Sequence, residues 1–175
     1  METATQPLPP RRALLSLLVL LLVLAAAGLA GCEKKGAYEL TNEGLALVRA
    51  GHPDRALRRF EKAIRVDPDY PYGYYYAAGL YNGRHQWRRA EGYLHRFLEL
   101  RPEDGNGWYT LAFCLEGQAR ELLGEGATDL HGAALRSYAA AHPPPLASDR
   151  ALVEGYLARA QEAYAKAKAA GLPIP

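Results

Sequence analysis

The residues best suited to chemistry stand at the end of an apolar stretch near the N-terminus. Leu29, Ala30 and Gly31 lead directly into Cys32. Small side chains leave a peptide bond open to a peptidase, and the thiol is the softest nucleophile among the side chains there. These residue types combine an accessible peptide bond with a nucleophilic sulfur atom.

The segment before this cysteine has the features of an export signal. Arg11 and Arg12 form a positive start, and residues 13–29 are almost wholly apolar. A positive start, an apolar stretch and small residues at its end describe a secretory signal. The motif that ends in Cys32 resembles the lipobox of bacterial lipoproteins. This resemblance implies a lipoprotein signal peptide over 1–31 and a lipid on the cysteine.

The same resemblance implies a location for the mature protein. Residues 32–36 become a lipidated linker, and Glu33 after the cysteine, rather than Asp, implies transfer to the bacterial outer membrane, facing the periplasm. The alternative is an uncleaved membrane anchor, because the apolar stretch is just long enough to span a bilayer as a helix.

The other residues able to do chemistry show no arrangement typical of a catalytic or metal site. No metal-ligand spacing joins the five histidines, which are His52, His85, His95, His131 and His142. Cys114 has no histidine near it in the sequence and is predicted to be a buried, apolar thiol. We therefore predict no catalytic residue, no metal and no cofactor. The stretch 116–133 stays open as a place for hidden chemistry.

Charge and cysteine content narrow the partners further. The formal net charge is +2, from 21 Lys and Arg against 19 Asp and Glu, a balance that argues against nucleic acid as a partner. The chain has two cysteines. A lipid on Cys32 would therefore leave Cys114 without a partner for an internal disulfide bond.

A spacing of 34 residues organises the chain from residue 37 onward. Similar residues recur at this interval: Ala56 and Ala90, Pro68 and Pro102, Leu47 and Tyr81, Gly44 and Ala78, Phe60 and Leu94, Ala63 and Phe97. Each unit reads as two helices. Each ends at a proline flanked by charged residues, because proline disfavours helix in the residue before it.

This pattern resembles the tetratricopeptide repeat. The first unit supplies Leu40, Gly44, Leu47, Ala56, Phe60, Ala63 and Pro68, and the second supplies Tyr74, Ala78, Tyr81, Ala90, Leu94 and Pro102. The resemblance implies an all-α fold, a short right-handed α-solenoid of about three helix pairs. The repeats would occupy 37–70, 71–104 and 105–142.

The third unit departs from the regular spacing. Its first helix keeps the pattern from Trp108 onward, but Gly124 stands where the next alanine is due. The second-helix pattern returns ten residues late, around Tyr138. We therefore predict an enlarged internal turn within a repeat domain that spans 37–142. Residues 143–175 would be a proline-rich turn and a capping helix that closes the stack.

In stacks of this kind the first helices line a concave groove. One stripe of each first helix is predicted to stay free there, and tyrosine dominates it. Tyrosine offers contact area, a hydrogen bond and a small entropy loss, which suits a peptide-binding surface. The predicted groove residues are Tyr38, Asn42, Arg49, Tyr72, Tyr75, Tyr76, Asn82, Tyr109 and Phe113. Alternatively, some of these rings pack between repeats or under the capping helix.

The second helices are rich in basic residues. The first of them carries Arg55, Arg58, Arg59, Lys62 and Arg65. The preferred interpretation is a solvated helix face that Glu61, Glu91 and Glu99 balance. The alternative is contact with anionic headgroups or an acidic partner.

Three functions remain open from the sequence. The first is a membrane-anchored adaptor that binds an envelope protein or an extended peptide and assists assembly of an envelope complex. The second is a structural subunit of a larger envelope or secretion complex, without a peptide-binding groove. The third is a hydrolase or sugar-processing accessory with its chemistry in 116–133, and it would need acids or histidines that converge at a pocket.

Overall fold

Helices account for all the regular structure in the part of the chain that the computed structural model describes, residues 36–174. They are α1 (Ala37–Arg49), α2 (Pro53–Val66), α3 (Pro71–Asn82), α4 (Trp87–Leu100), α5 (Gly105–Leu123), α6 (Gly132–Ala141) and α7 (Ala147–Ala169), with a 3-10 turn at Glu125–Ala127. The predicted all-α fold, a short helical solenoid, is confirmed. The predicted signal peptide and Cys32 lie outside the described residues.

Local sequence explains where these helices begin and end. Pro53 and Pro71 occupy the first positions of α2 and α3, where a missing backbone N–H costs nothing and the fixed φ suits a helix. The Asp104 side chain caps α5 by accepting a hydrogen bond from the Gly107 N–H at 2.9 Å. Helix α2 stops at Val66, two residues before a proline.

The first two helix pairs, α1 with α2 and α3 with α4, pack as the 34-residue spacing predicts, and α3 and α5 continue the stack. Close approach depends on small residues. A Cβ on Gly44 would lie 2.3 Å from the ring of Phe60, and one on Gly107 would lie 2.5 Å from the ring of Phe97. Both rings are fully buried. The helices therefore pack closely, because Phe60 of α2 fills the space over Gly44 and Phe97 of α4 fills the space over Gly107.

The third pair differs from the prediction. Helix α5 packs along α7, whereas α6 makes only slight contact with either helix. Ala160 and Ala163 of α7 are buried in one cluster with residues of α5. The region 132–141 does form a helix, but it belongs to an insertion at 124–146. The helix predicted to cap the stack is thus the second helix of the third pair.

The physical reason lies in length and side-chain size. Gly124, with φ at 83°, terminates α5. Helix α6 has 10 residues, against 19 in α5 and 23 in α7. The alanine stripe of α7 lets a long helix approach α5 closely over many turns, which buries more surface than the short α6 could.

Between residues 36 and 174, no helix combines the length and the apolar character needed to cross a bilayer.

Candidate functional site

Aromatic side chains gather on the first helices of the pairs, and we call this surface the aromatic face. Its members are Tyr38 on α1, Tyr70 just before α3, Tyr72, Tyr75 and Tyr76 on α3, and Tyr109 and Phe113 on α5.

The three tyrosines of α3 form one cluster that rests on the core. The ring centroids of Tyr75 and Tyr76 are 5.5 Å apart, and those of Tyr72 and Tyr76 are 6.4 Å apart. Tyr75 contacts Phe97 at 5.0 Å, and Tyr76 stacks on Phe60 at 5.6 Å. All three tyrosines are half-buried. Rings held this way present a surface that is already ordered before a partner arrives.

Tyr70 joins this cluster to the first helix pair. Burial raises the pKa of Tyr70, and the nearby hydroxyls of Tyr72, Tyr76 and Tyr38 raise it further. The Tyr70 ring lies 5.7 Å from that of Tyr72 and packs beside the buried Ala37 and Leu40 of α1, whereas Tyr38 of that helix is 66% exposed. The sequence interpretation missed Tyr70 because it precedes α3 and falls outside the helical stripe.

The third pair contributes less open surface. Tyr109 is 40% exposed, and its ring meets Tyr164 of α7 edge-on at 5.6 Å. Phe113 is half-buried, with His131 stacked on it at 5.3 Å and Trp87 at 6.0 Å. The alternative from the sequence therefore holds in part, since Tyr76 packs between repeats against Phe60, and Tyr109 meets α7, the helix predicted to cap the stack. Phe113 is covered as well, but by a residue of the insertion.

The polar residues predicted for the groove divide into two groups. Asn42 and Arg49 of α1 are exposed, but Asn82 is only 8% exposed and its Oδ1 has no hydrogen-bond partner among the described residues. Asn82 lies about 80° around α3 from Tyr72, at the edge of the stripe. The predicted contact of Asn82 with a partner is therefore wrong, because the residue turns into the helix packing.

The buried carboxylate of Glu116 ties the insertion to α5. Its Oε1 accepts a hydrogen bond from the Gly132 N–H at 2.8 Å, and its Oε2 accepts one from the Tyr164 hydroxyl at 3.1 Å. Glu116 is 1% exposed. Burial and the adjacent carboxylate raise the pKa of Tyr164 far above its ordinary value. The sequence pattern did not predict this role, because Gly132 and Tyr164 lie far from Glu116 along the chain.

Arg120 and His131 complete this arrangement. We call the set of Glu116, Tyr164, Arg120 and His131 the Glu116 latch. Arg120 donates to the carbonyl of Leu130 at 3.1 Å, and its Nη1 lies 2.9 Å from His131 Nδ1. The same Nδ1 is 3.1 Å from Glu116 Oε2. Burial lowers the pKa of Arg120, and the Glu116 carboxylate opposes that shift. His131 Nδ1 can accept from Arg120 or donate to Glu116 but not both, so the tautomer of the ring decides which of the two contacts is a hydrogen bond.

Glu116 and His131 do meet in 116–133, as the third hypothesis required. Their hydrogen bonds, however, hold α6 and the turn before it in place. Within residues 36–174, no three His, Cys, Asp or Glu side chains are grouped to hold a metal ion. Cys114 is fully buried, and its Sγ donates to the Trp87 carbonyl at 2.9 Å. Burial raises the pKa of this thiol to about 12, which suppresses the thiolate. The prediction of a buried, apolar thiol at this position is confirmed.

A cavity of about 500 Å³ opens beside the latch, at the α5 end of the aromatic face. Tyr109, Phe113 and Tyr164 form one wall, and Arg136 and Gln161 contribute polar groups. The volume falls within the range of pockets that take small ligands or protruding side chains.

Comparison with known proteins adds two likenesses. Human "Tetratricopeptide repeat protein 6" is 31% identical over 65 residues, which cover 37% of this chain and 12% of that protein. The solved structure "MamA RS-1 ArsTM double mutant" is 20% identical, with a TM-score of 0.47 and coverage of 79% of this chain and 77% of that one. No family model matches the chain. The first likeness and the 34-residue helix pairs together support a tetratricopeptide-type fold.

Proposed function

We propose that this protein is a membrane-anchored adaptor of the bacterial envelope, held in the outer membrane by a lipid on Cys32 and facing the periplasm. Its helix pairs bind a segment of another envelope protein, or an extended peptide, along the aromatic face, and so assist assembly of an envelope complex. The anchor rests on the motif Leu29 to Cys32. The likeness to a tetratricopeptide repeat protein supports protein binding in general.

The observation that carries the proposal is the aromatic face itself. Tyr38 and Tyr109 are exposed, while Tyr72, Tyr75 and Tyr76 are ordered by ring contacts beside them. Large apolar rings usually dominate binding energy at protein interfaces. Because tyrosine has few rotatable bonds, its immobilisation costs little entropy. The cavity beside Tyr109 offers room for a side chain of the bound segment.

Site-specific photo-crosslinking in cells tests the binding role. A photoreactive aromatic amino acid replaces Tyr38 or Tyr109, and Leu152 of α7, also large and 45% exposed, serves as the matched control position outside the aromatic face. We expect the same protein adduct from Tyr38 and Tyr109 and none from Leu152. An adduct at Leu152 with none at either tyrosine would exclude the aromatic face as the binding surface.

Intact-mass analysis of the membrane fraction tests the anchor. The wild-type chain should begin at Cys32 and carry the mass of a diacylglyceryl group, and Cys32→Ser should accumulate as an unprocessed precursor. A cleaved, unlipidated wild-type protein would overturn lipidation. An uncleaved wild-type chain would favour the membrane-anchor alternative.

One observation favours the structural-subunit alternative. His131 covers Phe113, so the insertion closes part of the surface that a peptide would use. A subunit without a binding groove would make its contacts through the outer surfaces. Adducts would then come from exposed positions such as Leu152, and replacements at Tyr38 would leave complex assembly unchanged.

A further inference from the structure

One face of α2 carries a line of basic side chains that we call the cationic stripe: Arg55, Arg58, Lys62 and Arg65. All four residues are exposed. At 100° per residue they fall within an arc of roughly 80° around the helix. Among residues 36–174, none of the four forms an ion pair or a side-chain hydrogen bond.

Several acids on α2 and the neighbouring helices are engaged with partners other than the cationic stripe. Glu61 accepts a hydrogen bond from the Tyr81 hydroxyl at 3.2 Å. The other pairs are Asp54 with Arg84, Glu43 with Arg59, Glu91 with Arg159, and Glu99 with Arg96. The stripe is solvated, as the preferred interpretation expects, but Glu61, Glu91 and Glu99 form no ion pair with it.

The C-terminal end of the stripe lies beside the point where the chain enters α1. Ala37, Leu40 and Ala63 share one buried cluster, so the C-terminal turns of α2, with Lys62 and Arg65, lie beside the start of α1. Only four residues separate Cys32 from Ala37. Even fully extended, this link spans roughly 18 Å. A lipid on Cys32 would hold this end of the first helix pair close to the bilayer surface.

We propose that the cationic stripe docks on the anionic phospholipid headgroups of the leaflet that holds the lipid on Cys32. The inference rests on the proposed anchoring. Clusters of four or more Lys and Arg near an anchor bind anionic bilayers, and a row of long, unpaired side chains suits laterally mobile headgroups. Because the stripe lies on α2 and the aromatic face on α1, α3 and α5, docking leaves the aromatic face open to a partner.

Vesicle partitioning of the full chain tests this docking. Partition coefficients are measured on phosphatidylcholine vesicles with and without about one third phosphatidylglycerol. The coefficient with phosphatidylglycerol divided by that without it reports the preference for anionic headgroups. Differences in this ratio between variants come from the substitutions, because the N-terminal segment is the same in every variant. The stripe variant combines Arg55→Gln, Arg58→Gln, Lys62→Gln and Arg65→Gln. The matched control removes the same charge elsewhere, with Arg88→Gln, Arg136→Gln, Arg150→Gln and Lys168→Gln.

Each basic side chain at an anionic surface strengthens binding about fivefold. We expect the ratio to fall at least about fivefold from the wild type to the stripe variant, in which the basic residues of the N-terminal segment remain, and the control to stay within about threefold of the wild type. High salt should abolish the wild-type preference. Circular dichroism checks that each variant is folded. A stripe variant with the wild-type ratio, or a control that loses as much, overturns the proposal.

A Cys32→Ser chain separates this proposal from the anchor. If that chain keeps the wild-type ratio while intact mass shows no lipid on the native protein, the stripe binds anionic lipid and the anchoring proposal alone fails. If the native protein carries its lipid but the stripe variant keeps the wild-type ratio, the anchor stands and the docking surface fails.

Discussion

At the scale of single residues, packing decides which reactive groups keep their reactivity. Cys114 is a nucleophile by type, yet it is fully buried and its pKa is raised to about 12 by burial. The sequence could predict this, because the residue falls between core positions of α5. It could not predict the role of Glu116, whose partners Gly132 and Tyr164 are brought to it only by the insertion and α7.

We expect Cys114 to resist alkylation in the folded protein. Iodoacetamide needs a thiolate and access to the sulfur, and the structure denies both. Peptide mapping by mass spectrometry should find Cys114 unmodified under native conditions and fully modified in denaturant. Rapid native labelling of Cys114 would show that α5 and α7 are not packed as described.

Glu91 should make stability depend on pH. Its burial raises its pKa, but the hydrogen bonds from Gln118 and Arg159 outweigh burial, so the pKa of Glu91 lies below its ordinary value of 4.5. A carboxylate with a lowered pKa contributes stability that is present above the ordinary value and lost as the pH falls through the folded value.

We therefore expect the free energy of unfolding to decline from about pH 5 to about pH 3, and Glu91→Gln to weaken that decline. Urea denaturation at several pH values measures both curves, with the exposed Glu154→Gln as the control. Parallel curves for wild type and Glu91→Gln would contradict the assigned role of Glu91.

At the scale of helices, the 34-residue spacing was enough to predict the first two pairs but not the third. Small and large residues alternate where helices cross, so Gly44 against Phe60 is readable from the sequence. The helix that pairs with α5 could not be predicted in this way, because both α6 and α7 carry alanines suited to close packing. The choice depends on length, and α7 offers a longer alanine stripe than α6.

Gly44→Ala should destabilise the first pair. The added Cβ would lie 2.3 Å from the buried ring of Phe60, so we expect a loss of about 1–3 kcal/mol in the free energy of unfolding. Gly92→Ala on α4 is the matched control. No atom lies within 4 Å of its added Cβ, and removal of a helical glycine should add up to about 1 kcal/mol. Equal urea midpoints for the two variants would refute the α1–α2 packing.

Removal of the Glu116 latch should free the insertion while the helix pairs stay folded. Glu116→Ala deletes the acceptors for Gly132 and Tyr164, and hydrogen bonds to a charged group contribute about 1.5–3 kcal/mol each. Amide exchange over 128–136 should therefore accelerate by at least about tenfold, with little change in α1 to α4. Unchanged protection of 128–136 would show that other contacts hold the insertion.

At the scale of the whole molecule, the sequence indicated a tyrosine-rich surface on the first helices, and the structure brings Tyr70 and the α3 cluster together there, with Tyr38 exposed on α1. Two features escaped prediction for physical reasons. Asn82 lies at the edge of its stripe, where a small rotation decides burial. Phe113 is covered by His131, a contact across an insertion that no periodic pattern encodes.

The two proposed functions fall on different surfaces of the protein. The aromatic face is proposed to hold a partner, and the cationic stripe on α2 is proposed to meet the membrane. A substitution on one side should therefore leave the other function intact, because the two surfaces lie on separate helices and share no residue.

The most direct test of whether the aromatic face binds the partner uses the double variant Tyr38→Ala with Tyr109→Ala. Its affinity is measured for the partner that photo-crosslinking at Tyr38 captures. Both rings are exposed, and only Tyr109 would lose a ring contact, its edge-on contact with Tyr164, whereas the half-buried Tyr75 would lose its contact with the fully buried Phe97. We expect the double variant to stay folded and to lose at least about 2 kcal/mol of binding free energy, and Arg58→Glu with Arg59→Glu to lose less. Wild-type affinity in the tyrosine variant, with a loss confined to the arginine variant, would contradict the claim and place the partner on α2.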